Sequence, residues 1–197
     1  MSEQNRAETM AVKLAAYAQR SGAEAAPIVA AYELSVARRL ETLGNVFHPD
    51  LLHPARNALI LIQDVGCSSS FVLTAAVLSE TEFPAMRIKP EEVLGTFGGV
   101  IAELVNAVPR PDAERELLLE ALVTAPYDVA LIAVAERLDH ARHLHFRDPA
   151  VWPSFFRQIV DVYLPAATRV SERLEVRLAH WSQAFERRLR NAYRDGA

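Results

Sequence analysis

Ala130–Leu144 reads ALIAVAERLDHARHL. Its apolar content is continuous through Ala135, and Pro126 and Asp128 stand just upstream, where a helix opens. The spacing predicts a helix from there through His145. Glu136, His140 and His143 fall at i, i+4 and i+7, so they share one face of it.

Helical periodicity recurs nearly everywhere. Met10–Gln19 is a helix, broken at Ser21–Gly22. Ala26–Leu43 is the next, with Pro27 near its first turn and Gly44 as its stop. His48–Leu52 is a short loop. Pro54–Asp64 reads as a buried helix ended by Gly66, and Ser68, Ser69 and Ser70 offer caps for a helix through Leu78. Pro90 opens a helix with Glu91 and Glu92 in its first turn, where the macrodipole favours acids. Gly98 and Gly99 interrupt it before Val100–Val108. Pro109–Asp112 is a link, with Asp112 as the expected cap of a helix to Thr124. Asp148–Pro149 caps Val151–Tyr163, and one long polar helix runs from about Pro165 to Tyr193. No segment reads as a strand, repeat or low-complexity tract. The expected class is all-α, a compact orthogonal helical bundle. Pro54–Asp64, Ser70–Leu78 and Asp128–His145 are expected to pack on one another.

Composition bounds the function. The chain has 197 residues, 51% of them hydrophobic. A domain of this length buries roughly 70% of its unfolded surface, so a bound metal would serve function rather than folding. The net charge of −4 argues against a general nucleic-acid binder, which needs a basic stripe. The single cysteine, Cys67, fits a reducing compartment. No apolar run approaches the roughly 18 residues of a membrane span, and MSEQNRAETM carries acids without an apolar signal core. The expected setting is the cytoplasm, with no membrane partner.

Four segments carry more specific information. Leu52–His53–Pro54 opens an apolar helix, and Ala75–Glu80, AAVLSE, ends a second. Phe97–Val108, FGGVIAELVNAV, is the third. Ala130–Leu144 is the fourth, followed by Tyr163–Leu164–Pro165. In that order and at those intervals they resemble the hydrolase domain of RelA/SpoT-type alarmone enzymes and the small alarmone hydrolases, in the HD phosphohydrolase superfamily. That family shows a histidine-proline, a helix ending in His-Asp, a phenylalanine-glycine helix, an Ala-Asp-Arg-Leu helix and a tyrosine-proline turn. The match spans residues 45–172. It implies an HD-domain fold in which 1–44 supplies N-terminal helices, 45–172 the hydrolase-type core and 173–197 a C-terminal helix, as a single domain overall.

The resemblance also implies a site. In the family, two histidines and two aspartates hold a divalent metal, usually manganese, which polarises the phosphate ester and activates a water. The corresponding positions here are His53, Ser79, Glu80 and Glu136, which are expected to converge on one pocket. Ser79 offers a neutral hydroxyl in place of an imidazole, and the glutamates are each one methylene longer than aspartate. Where the family carries a Glu-Asp pair for the attacking water, this chain has Phe83 and Pro84, with Glu82 one step away as the candidate proton carrier. Positioned acid–base groups contribute about 10²–10⁴-fold in rate. Manganese is therefore expected to bind weakly or not at all.

Other candidates surround these positions. His140 stands where the family has an asparagine near the nucleotide, and Arg137 follows Glu136 as the family's arginine follows its aspartate. With His143 they form the candidate ligand-binding set. Arg137 has a structural alternative, pairing with a carboxylate. Arg56, Arg87, Lys89 and Arg142 are candidate phosphate contacts by proximity, and equally solvated charges. His145 and His180 read as surface residues. Leu174, Leu178, Trp181, Phe185 and Leu189 form an apolar stripe on the last helix, expected to pack on its own domain or, alternatively, to make a homodimer.

Three functional readings stand. The first is a non-catalytic or weakly catalytic HD-fold protein that binds a small phosphorylated nucleotide or a protein partner in a regulatory role. The second is a metal-dependent phosphohydrolase on a (p)ppGpp-like nucleotide with a remodelled site of His53, Glu80, Glu136 and His140. The third is a structural module whose cavity has been filled.

Overall fold

Caps and glycine stops set the helix boundaries in the computed structural model, which describes residues 3–195 apart from 46. Residues 1–2 and 196–197 of the expected terminal helices, and Val46 near the start of the matched stretch, lie outside the described residues. Every regular element among the described residues is helical. The class is all-α, as the periodicity predicts. The chain divides after Asp112 into two units, Met1–Asp112 and Ala113–Ala197, at the end of the Pro109–Asp112 link.

The first unit holds α1 (Glu3–Ser21), α2 (Ala25–Leu43), α3 (His53–Ile60), α4 (Ser70–Leu78), α5 (Pro90–Phe97) and α6 (Gly99–Ala107). Gly44 ends α2 in a left-handed conformation, its N–H donating to Leu40 O. Ser69 Oγ accepts from the Val72 N–H at 3.4 Å and so caps α4. Gly98 (φ 84°, ψ 173°) joins α5 to α6 in a region open essentially to glycine alone. α2, α3 and α6 all pack on α4. The contact faces are rich in small residues: Ala31, Ala55, Ala58, Ala75 and Ala76 are wholly buried. Such residues let helix axes approach closely. α3 widens at its end into a π-turn, Leu61–Val65, before Gly66. Periodicity does not register that change of pitch.

The second unit holds α7 (Arg115–Thr124), α8 (Tyr127–Arg142), α9 (Trp152–Gln158), α10 (Leu164–Val170) and α11 (Glu172–Asp195). Every residue of α8 from Val129 to Ala141 is buried. α7, α10 and α11 pack against it. Leu174, Leu178 and Phe185 of the α11 stripe are buried. Trp181 stacks on Phe185 at 4.8 Å between ring centroids and meets Phe155 edge-on at 6.3 Å.

Several boundaries depart from expectation. α8 ends at Arg142, short of the predicted His145, and a 3-10 turn follows over Leu144–Phe146. Asp112 does not cap α7, which starts at Arg115 behind Glu114 with no side-chain cap. The predicted long C-terminal helix is two helices. Ser171 adopts extended backbone (φ −166°, ψ 113°) between α10 and α11, and its Oγ accepts from the Leu174 N–H at 3.3 Å, capping α11. Serine is a strong N-cap, and here that preference outweighs continuous helical periodicity.

Candidate functional site

The first unit's candidates lie at a helix start and a helix end. His48 Nδ1 accepts from the Asp50 N–H at 3.2 Å, fixing the turn that delivers His53 to the first position of α3. His53 is fully buried. One turn on, Asn57 Nδ2 donates to Ala76 O at 2.8 Å and ties α3 to α4. Ser79 ends α4, its N–H donating to Ala75 O at 2.8 Å, and is buried.

Glu80 follows, also buried. Its Oε1 accepts from the backbone N–H groups of Glu82 at 3.0 Å and Phe83 at 2.8 Å. Its Oε2 accepts from Arg39 Nη2 at 2.7 Å, with side-chain exposures of 0% for Glu80 and 1% for Arg39. Arg39 Nε also donates to Asp50 O at 3.1 Å. The carboxylate thus caps the loop after α4 and is neutralised by a cation from α2. A ring nitrogen of His53 and a carboxylate oxygen of Glu80 lie within 4.8 Å of one another. Arg87 laces the same loop, Nε donating to Glu80 O at 2.8 Å and Nη2 to Thr81 O. Glu82 is half-buried, and Pro84 opens a short 3-10 turn.

On α2, Tyr32 is buried, and its hydroxyl has no hydrogen-bond partner among the described residues. Burial pushes its phenol far above the ordinary tyrosine value, while the charges of Arg56, Arg39 and Arg6 act in the opposite sense.

In the second unit, the candidates line α8. His140 Nε2 lies 4.0 Å from Glu136 Oε1, both side chains almost fully buried. His143 pairs with Asp139 instead: its Nδ1 is 3.8 Å from Oδ1 and 2.9 Å from the Asp139 carbonyl oxygen. Arg137 stacks over the Phe155 ring at 3.8 Å and faces the Tyr163 ring at 5.1 Å, and it bonds Gln158 Oε1. Aromatic rings and an amide are thus among its partners. Of the phosphate candidates, Arg56 Nη1 donates to Pro49 O at 2.7 Å, Lys89 is exposed and Arg142 is half-buried. His145 and His180 are exposed, as read.

Sequence reasoning missed Arg39 and Asp139. A signal for Arg39 existed: Ile28, Ala31, Tyr32, Ser35 and Val36 form a buried stripe on α2, and Arg39 continues it at helical spacing. A charge at the end of an apolar stripe asks for a buried partner. Asp139 stands four residues before His143, and that i, i+4 spacing is its signal.

The sequence matches no family model and no curated protein. Its backbone does match a solved structure. This is a metazoan ortholog of SpoT, described as hydrolysing ppGpp and playing a role in starvation responses, with a TM-score of 0.67 and 17% sequence identity. The match covers 81% of this chain and 95% of that one. The chain has an HD-domain fold. Among the described residues, no helix is long and apolar enough to cross a membrane.

Proposed function

We propose that this chain is a non-catalytic or weakly catalytic HD-fold protein that binds a small phosphorylated nucleotide of the (p)ppGpp kind in a regulatory role. Glu80 carries the reading. Its carboxylate already accepts two backbone N–H groups and the buried Arg39 guanidinium. A carboxylate offers about four lone-pair sites in all. A metal at this position would share those sites with Arg39 and face its positive charge at close range. Ser79, next to it, contributes a neutral hydroxyl. The first unit's donors therefore fit a divalent metal poorly.

A second reading keeps the activity, and the closeness of His53 and Glu80 favours it. In that reading His53 and Glu80 are the first unit's manganese ligands, and Glu82 moves the proton. When bound, such a metal polarises a phosphate ester and activates a water.

Thermal unfolding with guanosine tetraphosphate in excess EDTA tests the leading reading. A ligand at 100 times its dissociation constant stabilises by about 2.7 kcal/mol. Stabilisation without metal is the expected result. No shift with this or any other nucleotide removes the reading in favour of a structural module.

A further inference from the structure

The first unit contains a cavity of about 250 Å³ between the end of α4, the loop 79–90 and the end of α6. Its polar lining includes Ser79, Glu80, Arg87, Lys89, Asn106 and Arg110. We propose that this cavity is an oxyanion site that takes the terminal phosphoryl group of a small molecule. The proposal deepens the nucleotide-binding reading and needs no metal.

Charge is the first argument. Three cations line the cavity against one carboxylate, and that carboxylate is already matched by buried Arg39. The net field inside favours an anion. Preorganisation is the second. Arg87 Nε and Nη2 are held by the carbonyl oxygens of Glu80 and Thr81. These bonds fix the guanidinium plane at the cavity wall. A fixed guanidinium loses little rotamer freedom on binding an oxyanion. Lys89 and Arg110 are exposed and act as movable point charges. Size is the third. Drug-sized ligands occupy pockets of about 300–1,000 Å³, and this one is smaller. It accommodates one end of a molecule, with the remainder outside.

Calorimetric titration in EDTA tests the assignment, with inorganic phosphate, pyrophosphate and guanosine diphosphate as separate probes. Pyrophosphate is expected to bind, more weakly as salt is raised. Guanosine diphosphate binding tighter than pyrophosphate assigns the phosphoryl end of a nucleotide, and equal affinities assign free phosphates. Lys89→Gln/Arg110→Gln removes two exposed charges and leaves the Arg87 lacing intact. It is expected to weaken pyrophosphate about tenfold or more with an unchanged unfolding temperature. Lys13→Gln/Arg20→Gln, the same charge change on exposed positions of α1, is expected to leave affinity as it was. No pyrophosphate binding by the wild type, or equal weakening by both double variants, overturns the site. Nucleotide stabilisation that persists in Lys89→Gln/Arg110→Gln also overturns it, while leaving the functional reading in place.

Discussion

Arg39 Nη2 lies 2.7 Å from Glu80 Oε2, and both side chains are withdrawn from water. The pair joins α2 to the loop after α4, and Glu80 Oε1 holds two backbone N–H groups of that loop. Removing one partner of such a buried pair strands the other charge, at a cost of about 3–5 kcal/mol. Arg39→Met is therefore expected to lower unfolding free energy by about that amount. The double variant Arg39→Met/Glu80→Leu should lose clearly less than the sum of the two single changes. Urea titration of the three variants decides it. Strict additivity would show that the pair is not coupled.

Arg137 separates a structural role from a ligand role. Its guanidinium rests on Phe155 and Tyr163, and a desolvated cation–π contact contributes about 2 kcal/mol. Arg137→Ala is expected to destabilise by at least about 2 kcal/mol while nucleotide affinity, measured below the new melting temperature, is unchanged. A selective loss of affinity at constant stability would return Arg137 to the ligand-binding set.

Tyr32 gives a prediction of opposite sign. A buried hydroxyl without a partner carries a desolvation penalty of about 1–3 kcal/mol. Its removal in Tyr32→Phe is expected to leave stability equal or raise it by about 1 kcal/mol. Urea or thermal denaturation reads the change. A loss of more than about 1 kcal/mol would mean that the hydroxyl makes a bond that matters.

Gly98 tests the joint between α5 and α6. Its backbone (φ 84°, ψ 173°) lies where a β-carbon is strained. Gly98→Ala is expected to destabilise by about 1–3 kcal/mol, although open space surrounds the site. An unchanged melting curve would show that the joint relaxes without cost.

The sequence makes the helices legible because their punctuation is local. Gly44, Gly66, Ser69 and Pro90 act within a turn of themselves, and each does what its chemistry requires. Ser171 was hidden because an apolar stripe runs on past it, and only the backbone shows that the serine caps a new helix. Asp112 misled because a good capping residue is no guarantee that the helix starts beside it. The helix start at His53 and the helix end at Ser79 were legible from the ordered motifs. The partner of Glu80 was not, because Arg39 is 41 residues away and no local rule couples the two.

In the proposed reading, Glu80 after α4 serves the fold and not a metal. The most direct test is the manganese content of purified protein, with release of pyrophosphate from guanosine tetraphosphate measured on the same sample. A Ser79→His/Glu80→Asp/Glu136→Asp variant runs beside it. Far less than one manganese per chain and no useful turnover are expected in the wild type. Stoichiometric manganese with rapid pyrophosphate release from the wild type would contradict that reading.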